Sequence, residues 1–477
     1  MLLSRSGEIT RRTLLRRTGA LSLAGAASSY ALGLAGLGEL AAESSGEDYK
    51  ALVCVFLAGG NDHANTLIPI DSYNHAKYSA ARGVAESVAI ARDKLFPTAL
   101  NHPDEQTLTD DLSYALAPTM PQLCRHFHEG RMAPLLNVGP LITPLTKQEY
   151  EHPNTTSYPR PSKLFSHNDQ QSTWQSFEPE GSTIGWGGKI ADIAMSSNQN
   201  SMFTAIGING NSVFLNGNNI TAFSTSASGP IRMYPVIGNL FGSRKASDAL
   251  GTLLRQQYGH VIENDYAVAN ARSVEYSGFV ADRLKNAPSA ADFGGSSLSK
   301  KLSTVAKLIS ARRDLGTSRQ VFFVSMGGFD NHSDLAAKHS GLLGEVDAAV
   351  DNFYSALSSL GVADQVTTFT ASDFGRTLTS NGNGSDHGWG GHHFILGGAV
   401  KGGTFYGTAP HVSTKTNDQV GNGRLLPSTS VDEYASTLAL WFGVNPSDLS
   451  YIAPNLGNFS NPDLGFMKIP KGTGHLY

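Results

Sequence analysis

Four apolar runs, each stopped abruptly by a loop, constrain most tightly what this chain can fold into. ALVCVFL (51–57) runs into AGGNDHANTLIP, MAPLLNVG (132–139) into PLITPLT, QVFFVSM (320–326) into GGFDNHSD, and VTTFTAS (366–372) into DFGRT. A strand with one wet face alternates apolar and polar residues, whereas unbroken runs of this length belong to strands buried on both faces, which means a parallel sheet covered by helices. Helical periodicity fills the intervals at about 247–286, 298–314 and 334–360, and in the last of these Leu342, Leu343, Val346, Val350 and Leu357 form one stripe. Strands alternating with helices predict a doubly wound α/β domain. Ligands of such domains collect outside the carboxyl ends of the strands.

Composition narrows the function classes. Charged residues make up only 16% of the 477, with a formal net charge of −4, so no basic footprint for nucleic acid or an anionic membrane is present. The 51 glycines cluster beside Asp, Asn and His, a pattern of tight loops with exposed amides that suits metals and anions. Cys54 and Cys124 match no zinc spacing and are expected to stay unpaired. The Asn-, Ser- and Gly-rich stretch at about 195–246 reads as a small inserted region.

At the N-terminus, TRRTLLR precedes a soft apolar stretch rich in Ala, Gly and Ser. Paired Arg11 and Arg12 in this setting resemble a twin-arginine export signal. Small residues interrupt the apolar stretch too often for a stable membrane span, so none is expected in the mature form. The expected organisation is a signal segment over 1–45 and a single domain over 46–477. The expected location is periplasmic or secreted, with the twin-arginine translocase as partner during export.

The acidic and imidazole residues fall at the ends of the apolar runs. Asp62 follows the first; Asp330 and His332, two apart in GGFDNH, follow a later one; Asp373 begins the next loop, with Arg376 placed to clamp an anionic oxygen. SDHGWGGHH (385–393) adds Asp386, His387, His392 and His393. If the FILGG that follows is a strand, His392 and His393 face opposite ways, and His392 is taken as the inward one. A mixed Asp/His set fits zinc or manganese, with magnesium or calcium also admissible. Divalent ions so held assist displacement at phosphate or sulfate esters.

Together, FLAGGNDHANTLIP, FSHNDQQSTWQS, GWGGKIAD, GGFDNH, DFGRT and DHGWGGHHFILGGAVKGGTFYG resemble the DUF1501 family of exported bacterial proteins, within the alkaline phosphatase and sulfatase superfamily. The resemblance spans about residues 50–445. It implies an alkaline-phosphatase-like α/β domain with a mostly parallel central sheet sandwiched by helices. It also implies a metal site built from Asp62, Asp330, His332, Asp386, His387 and His392 or His393, to which the strand-end position adds Asp373. Ser166, where a helix starts, becomes the candidate nucleophile or else an N-cap, with Thr143 as its rival, and His167 a ligand or a proton shuttle. Two departures stand out: DNH places one residue between Asp and His where the superfamily's phosphatases leave a helical turn, and the sulfatase Cys/Ser-x-Pro-x-Arg signature is absent. The implied activity is hydrolysis of a small-molecule or glycan ester. The alternative is a non-catalytic exported binding protein that keeps the fold and the metal.

Overall fold

In a computed structural model the chain is described over residues 48–83, 88–103, 105–210, 212–230, 232–256, 259–286 and 293–468. The twin-arginine segment lies outside them. All four apolar runs are strands of one eight-stranded sheet, built from β1 (Lys50–Leu57), β2 (Met132–Gly139), β3 (Ala205–Ile208), β4 (Phe223–Thr225), β5 (Arg319–Met326), β6 (Val366–Ser372), β7 (Gly391–Leu396) and β8 (Thr429–Ser430). Their spatial order is β8-β2-β7-β6-β1-β5-β3-β4. β1 sits in the middle, parallel to β5 on one side and β6 on the other. Only β7 runs against its neighbours, antiparallel to both β2 and β6.

Successive side chains of a strand point to opposite faces, and β1 shows why its sequence is apolar throughout. Ala51, Val53, Val55 and Leu57 join one hydrophobic cluster, while Leu52, Cys54 and Phe56 join another. Five helices that position the site are α1 (Ser72–Ala81), α2 (His167–Ser176), α3 (Trp186–Ala194), α4 (Ser297–Ser310) and α5 (Leu335–Ser359); α6 (Val431–Phe442) follows. Leu302 and Val305 of α4 and Leu343, Val346 and Val350 of α5 cover the first face. Trp186 and Ile190 of α3 and Tyr434 and Leu438 of α6 cover the second. Each fully buried large apolar side chain contributes roughly 1.5–3 kcal/mol, so the two faces dominate stability.

Two expectations change. The helical stretch 247–286 is two helices, Arg244–Leu253 and Val261–Asn286, parted around Gly259. The Asn/Gly-rich region is woven into the sheet, since its short apolar runs AIGI and FST pair as β3 and β4 at the outer edge. Cys54 and Cys124 are buried free thiols. No described helix is long and apolar enough to cross a membrane.

Asp432, in the first turn of α6, is 1% exposed, and Oδ1 accepts the Asn455 N–H at 2.9 Å while Oδ2 has no partner. Burial pushes its pKa up to about 7. A carboxyl raised in the folded state holds an extra proton relative to the unfolded chain between its ordinary pKa and about 7, so stability falls as pH rises through that window. Asp432→Asn is expected to flatten the decline of Tm between about pH 4 and 7. Calorimetry across that range checks this, and an unchanged slope would count against it.

Candidate metal centre

Parallel strands deliver their following loops to one edge of the sheet, and the centre is built there. Gly59 follows β1, Asp330 and His332 follow β5, and Asp373 is the first residue beyond β6. Arg376 and His387 are partners across the short antiparallel hairpin Arg376–Ser380/Ser385–His387, and His167 opens α2.

Asp373 is fully buried, and a carboxylate without water needs donors. Its Oδ1 accepts the Gly59 N–H at 3.0 Å; its Oδ2 accepts from Gln171 Nε2 at 2.8 Å and from His167 Nδ1 at 2.7 Å. Because a carboxylate only accepts, Nδ1 of His167 carries a proton, and in the neutral ring Nε2 then carries the lone pair. That Nε2 is buried without a hydrogen-bond partner, 3.4 Å from Asp330 Oδ2. His387 follows the same logic, its Nδ1 donating to the Phe165 carbonyl at 2.8 Å. His332 meets a carboxylate at each nitrogen, with Nδ1 3.2 Å from Asp386 Oδ1 and Nε2 3.0 Å from Asp330 Oδ1.

Three imidazoles turn their Nε2 atoms toward one carboxylate. His332 Nε2 lies 2.9 Å from His387 Nε2 and 3.0 Å from Asp330 Oδ1, and His387 Nε2 lies 3.4 Å from that oxygen. Nitrogen and oxygen atoms this close need a proton or a metal cation between them. Ligand atoms around a tetrahedral ion at ~2.1 Å stand roughly 3.4 Å apart, which the present spacings approach. His167, Asp330 and His387 offer ligand atoms that all lie within 4.8 Å of one another. The set fits a zinc-like ion, and carboxylate orientation of a ligating imidazole is the usual supporting arrangement.

The electrostatics agree. The Asp373 hydrogen bond outweighs burial and raises the His167 pKa, whereas burial lowers that of His387. Burial pushes the Asp330 carboxyl up, but the hydrogen bond and charge of Arg376 prevail and hold it below the usual carboxylate range. Phe374 packs against both His167 and His387, with ring centroids 4.8 and 4.6 Å away. Glycine is required at two contacts: Gly59, at φ +117°, would put a Cβ 2.4 Å from the Asp330 nitrogen, and a Cβ on Gly384 would meet the His332 carbonyl at 2.2 Å.

The structure thus brings together His167, Asp330, His332 and His387. Asp373 and Asp386, expected as ligands, instead orient His167 and His332, because their oxygens already face those Nδ1 atoms. Asp386 Oδ1 also accepts from Asn381 at 2.8 Å. Arg376 is fully buried and clamps no substrate oxygen: its nitrogens are taken by Asp330 Oδ1 at 2.9 Å, the Gly59 carbonyl at 3.0 Å and Ser385. Asp62 is also fully buried; its Oδ2 is ion-paired with Arg82, at the end of α1, its Oδ1 has no partner, and it does not join the cluster. β7 does turn His392 and His393 to opposite faces. His392 Nδ1 accepts the Asn137 N–H at 3.1 Å and its ring meets His63; His393 packs on Trp174 and Tyr434; neither joins the cluster. Ser166 stands at the start of α2, but its hydroxyl donates to Asp169 Oδ2 at 2.8 Å and makes no cap bond. Sequence reasoning missed Gln171, Phe374 and the Phe165 carbonyl. Gln171 was within reach, four residues after His167 and so on the same helix face.

Zinc titration of the metal-free protein against a chromophoric chelator checks this partition. Asp373→Asn is expected to weaken binding by about 10–100-fold, the usual cost of losing a partner that orients a ligand. Asp62→Asn should lower Tm and leave zinc affinity unchanged. The reverse pattern would return Asp62 to the metal shell.

By sequence, none of the curated proteins matches the chain. Among solved structures it is similar to Ps i-CgsB in complex with k-i-k-neocarrahexaose (10% identity, TM-score 0.35, 87% of this chain and 77% of that one). It is also similar to the lipoteichoic acid synthase LtaP from Listeria monocytogenes (8%, TM-score 0.33, 86% and 76%) and to the PsFucS1 sulfatase from Pseudoalteromonas sp. (9%, TM-score 0.31, 83% and 75%). The family model DUF1501, described as a protein of unknown function, matches residues 261–451, a span that holds Asp330, His332, Asp373, Arg376, Asp386 and His387. Over that span the chain is similar to the DUF1501 family.

Proposed function

We propose that this chain is an exported, metal-dependent hydrolase of a phosphate or sulfate ester, using one divalent ion, zinc or manganese. His167, His332 and His387, through Nε2, and the Asp330 carboxylate would hold the ion. The observation that carries this reading is the convergence of three Nε2 atoms on the Asp330 carboxylate, with each Nδ1 turned away to another oxygen.

Charge supports it. Asp330, Asp373 and Asp386 bring three carboxylates against the one guanidinium of Arg376. An anionic ester is repelled by that set, and a divalent ion cancels it. When bound, the ion supplies Lewis-acid polarisation of the ester and makes a water acidic enough to attack near neutral pH. Arg376 fixes the Asp330 carboxylate, and Asp373 fixes the ring plane of His167, so the ligand geometry is set before substrate arrives. Attack is assigned to water, because the Ser166 hydroxyl is given to Asp169. Asp330 and His332 are about 45% exposed on their side chains, so the centre is open to an incoming ester. Export is supported by the TRRTLLR segment alone.

A panel of aryl phosphates, phosphodiesters and aryl sulfates, with zinc or manganese, tests the activity. Asp330→Asn should lose at least about 100-fold in kcat/KM, roughly 2.7 kcal/mol of barrier, while Ser166→Ala keeps most of the rate. The same activity is expected in the periplasmic fraction of bacteria expressing the full chain, and absent there for Arg11→Lys/Arg12→Lys. A metal-loaded protein that turns over nothing in the panel would be a binding protein instead.

A further inference from the structure

Beside the metal centre, at the carboxyl ends of β1, β3 and β5, lies a groove of about 330 Å³, within the size range of small-molecule sites. It reaches the centre through Gln171, whose Nε2 donates to Asp373, and through Ala58, next to the Gly59 whose N–H holds the same carboxylate.

The groove's chemistry is uniform. Its polar side chains are the amides of Gln171, Gln175 and Asn209 and the hydroxyls of Ser212 and Ser325, over the rings of Phe56 and Phe323, and no charged residue lines it among the described residues. The protein itself fixes how the amides face. Gln171 must turn its N–H to the acceptor-only Asp373, leaving Oε1 as an acceptor. Gln175 must turn Oε1 to the Phe214 N–H at 3.1 Å, where it also receives the Ser212 hydroxyl at 2.7 Å, leaving Nε2 as a donor. Asn209 must turn Oδ1 to the Ala227 N–H at 2.8 Å, again leaving a donor. Gln171 and Gln175 stand four residues apart on α2, so an acceptor and a donor are neighbours on one helix face. Adjacent hydroxyls match that pair, one donating to Gln171 and the next accepting from Gln175. A cation or an anion would find no countercharge, and a purely apolar group would strand the amides.

We infer that this groove seats an uncharged, hydroxyl-rich portion of the substrate, a glycan unit, next to the metal centre. This rests on the hydrolase reading for the ester that the glycan carries; sugar binding itself does not need it.

Saturation-transfer NMR on the zinc-loaded full chain, with methyl glycosides of glucose, galactose, mannose and N-acetylglucosamine, tests the inference. At least one glycoside should receive saturation from the wild type. Gln175→Glu keeps the acceptor for Phe214 and replaces the donor by a charged acceptor, and Asn209→Asp does the same at Ala227. With Tm unchanged, each should weaken binding by about 5–10-fold, as for one lost hydrogen bond. Asp330→Asn, which disables the centre, should still bind sugar. The inference is overturned if no glycoside receives saturation, if Gln175→Glu and Asn209→Asp both bind as the wild type does, or if Asp330→Asn abolishes binding. Glycoside binding without turnover of any ester would sink the hydrolase reading and leave this one standing.

Discussion

One buried carboxylate organises the functional edge of this protein. Asp373 has no access to water, and it is satisfied only because a loop amide after β1 and two side chains of α2 reach it at once. Moving any of those elements strands a charge in a low-dielectric interior, a penalty of several kcal/mol. The same contact that locks α2 against the sheet therefore fixes the His167 tautomer and aims its Nε2. Arg376 repeats the device on the other side of Gly59, taking the carbonyl of the residue whose N–H binds Asp373 and holding Asp330 with the same nitrogen. Fold and ligand geometry thus share one set of hydrogen bonds.

A division of labour among acidic residues follows. Asp330, partly exposed, faces the imidazoles directly; Asp373 and Asp386 stand behind rings and set which nitrogen is free. Asp62 stabilises the loop it belongs to, through Arg82 and, by way of its carbonyl, the Thr66 hydroxyl. The groove along α2 adds a second use for that helix, since Gln171 grips Asp373 with one end of its amide and lines the groove with the other.

Much of this was legible in the residues. The apolar runs announced β1, β2, β5 and β6 because strands buried on both faces carry no polar alternation, and the Asp and His residues at their ends marked the functional edge. β7 was less plain: in GHHFIL the histidines look polar, yet His393 is buried between Trp174 and Tyr434. The sorting of Asp62, Asp373 and Asp386 away from the ligands was not legible, because it depends on partners distant in the chain. Arg82 claims Asp62 from the end of another element, and His167 meets Asp373 from about 200 residues earlier. Main-chain partners such as the Phe165 carbonyl leave no residue-type signature.

Anomalous diffraction at the zinc edge, on crystals of the zinc-loaded protein, tests the central claim most directly. The expected result is one ion bound by Nε2 of His167, His332 and His387 and by an Asp330 oxygen, each at ~2.0–2.2 Å. An ion seated on Asp62 or His392, or ligation through Nδ1 of any of the three imidazoles, would contradict it.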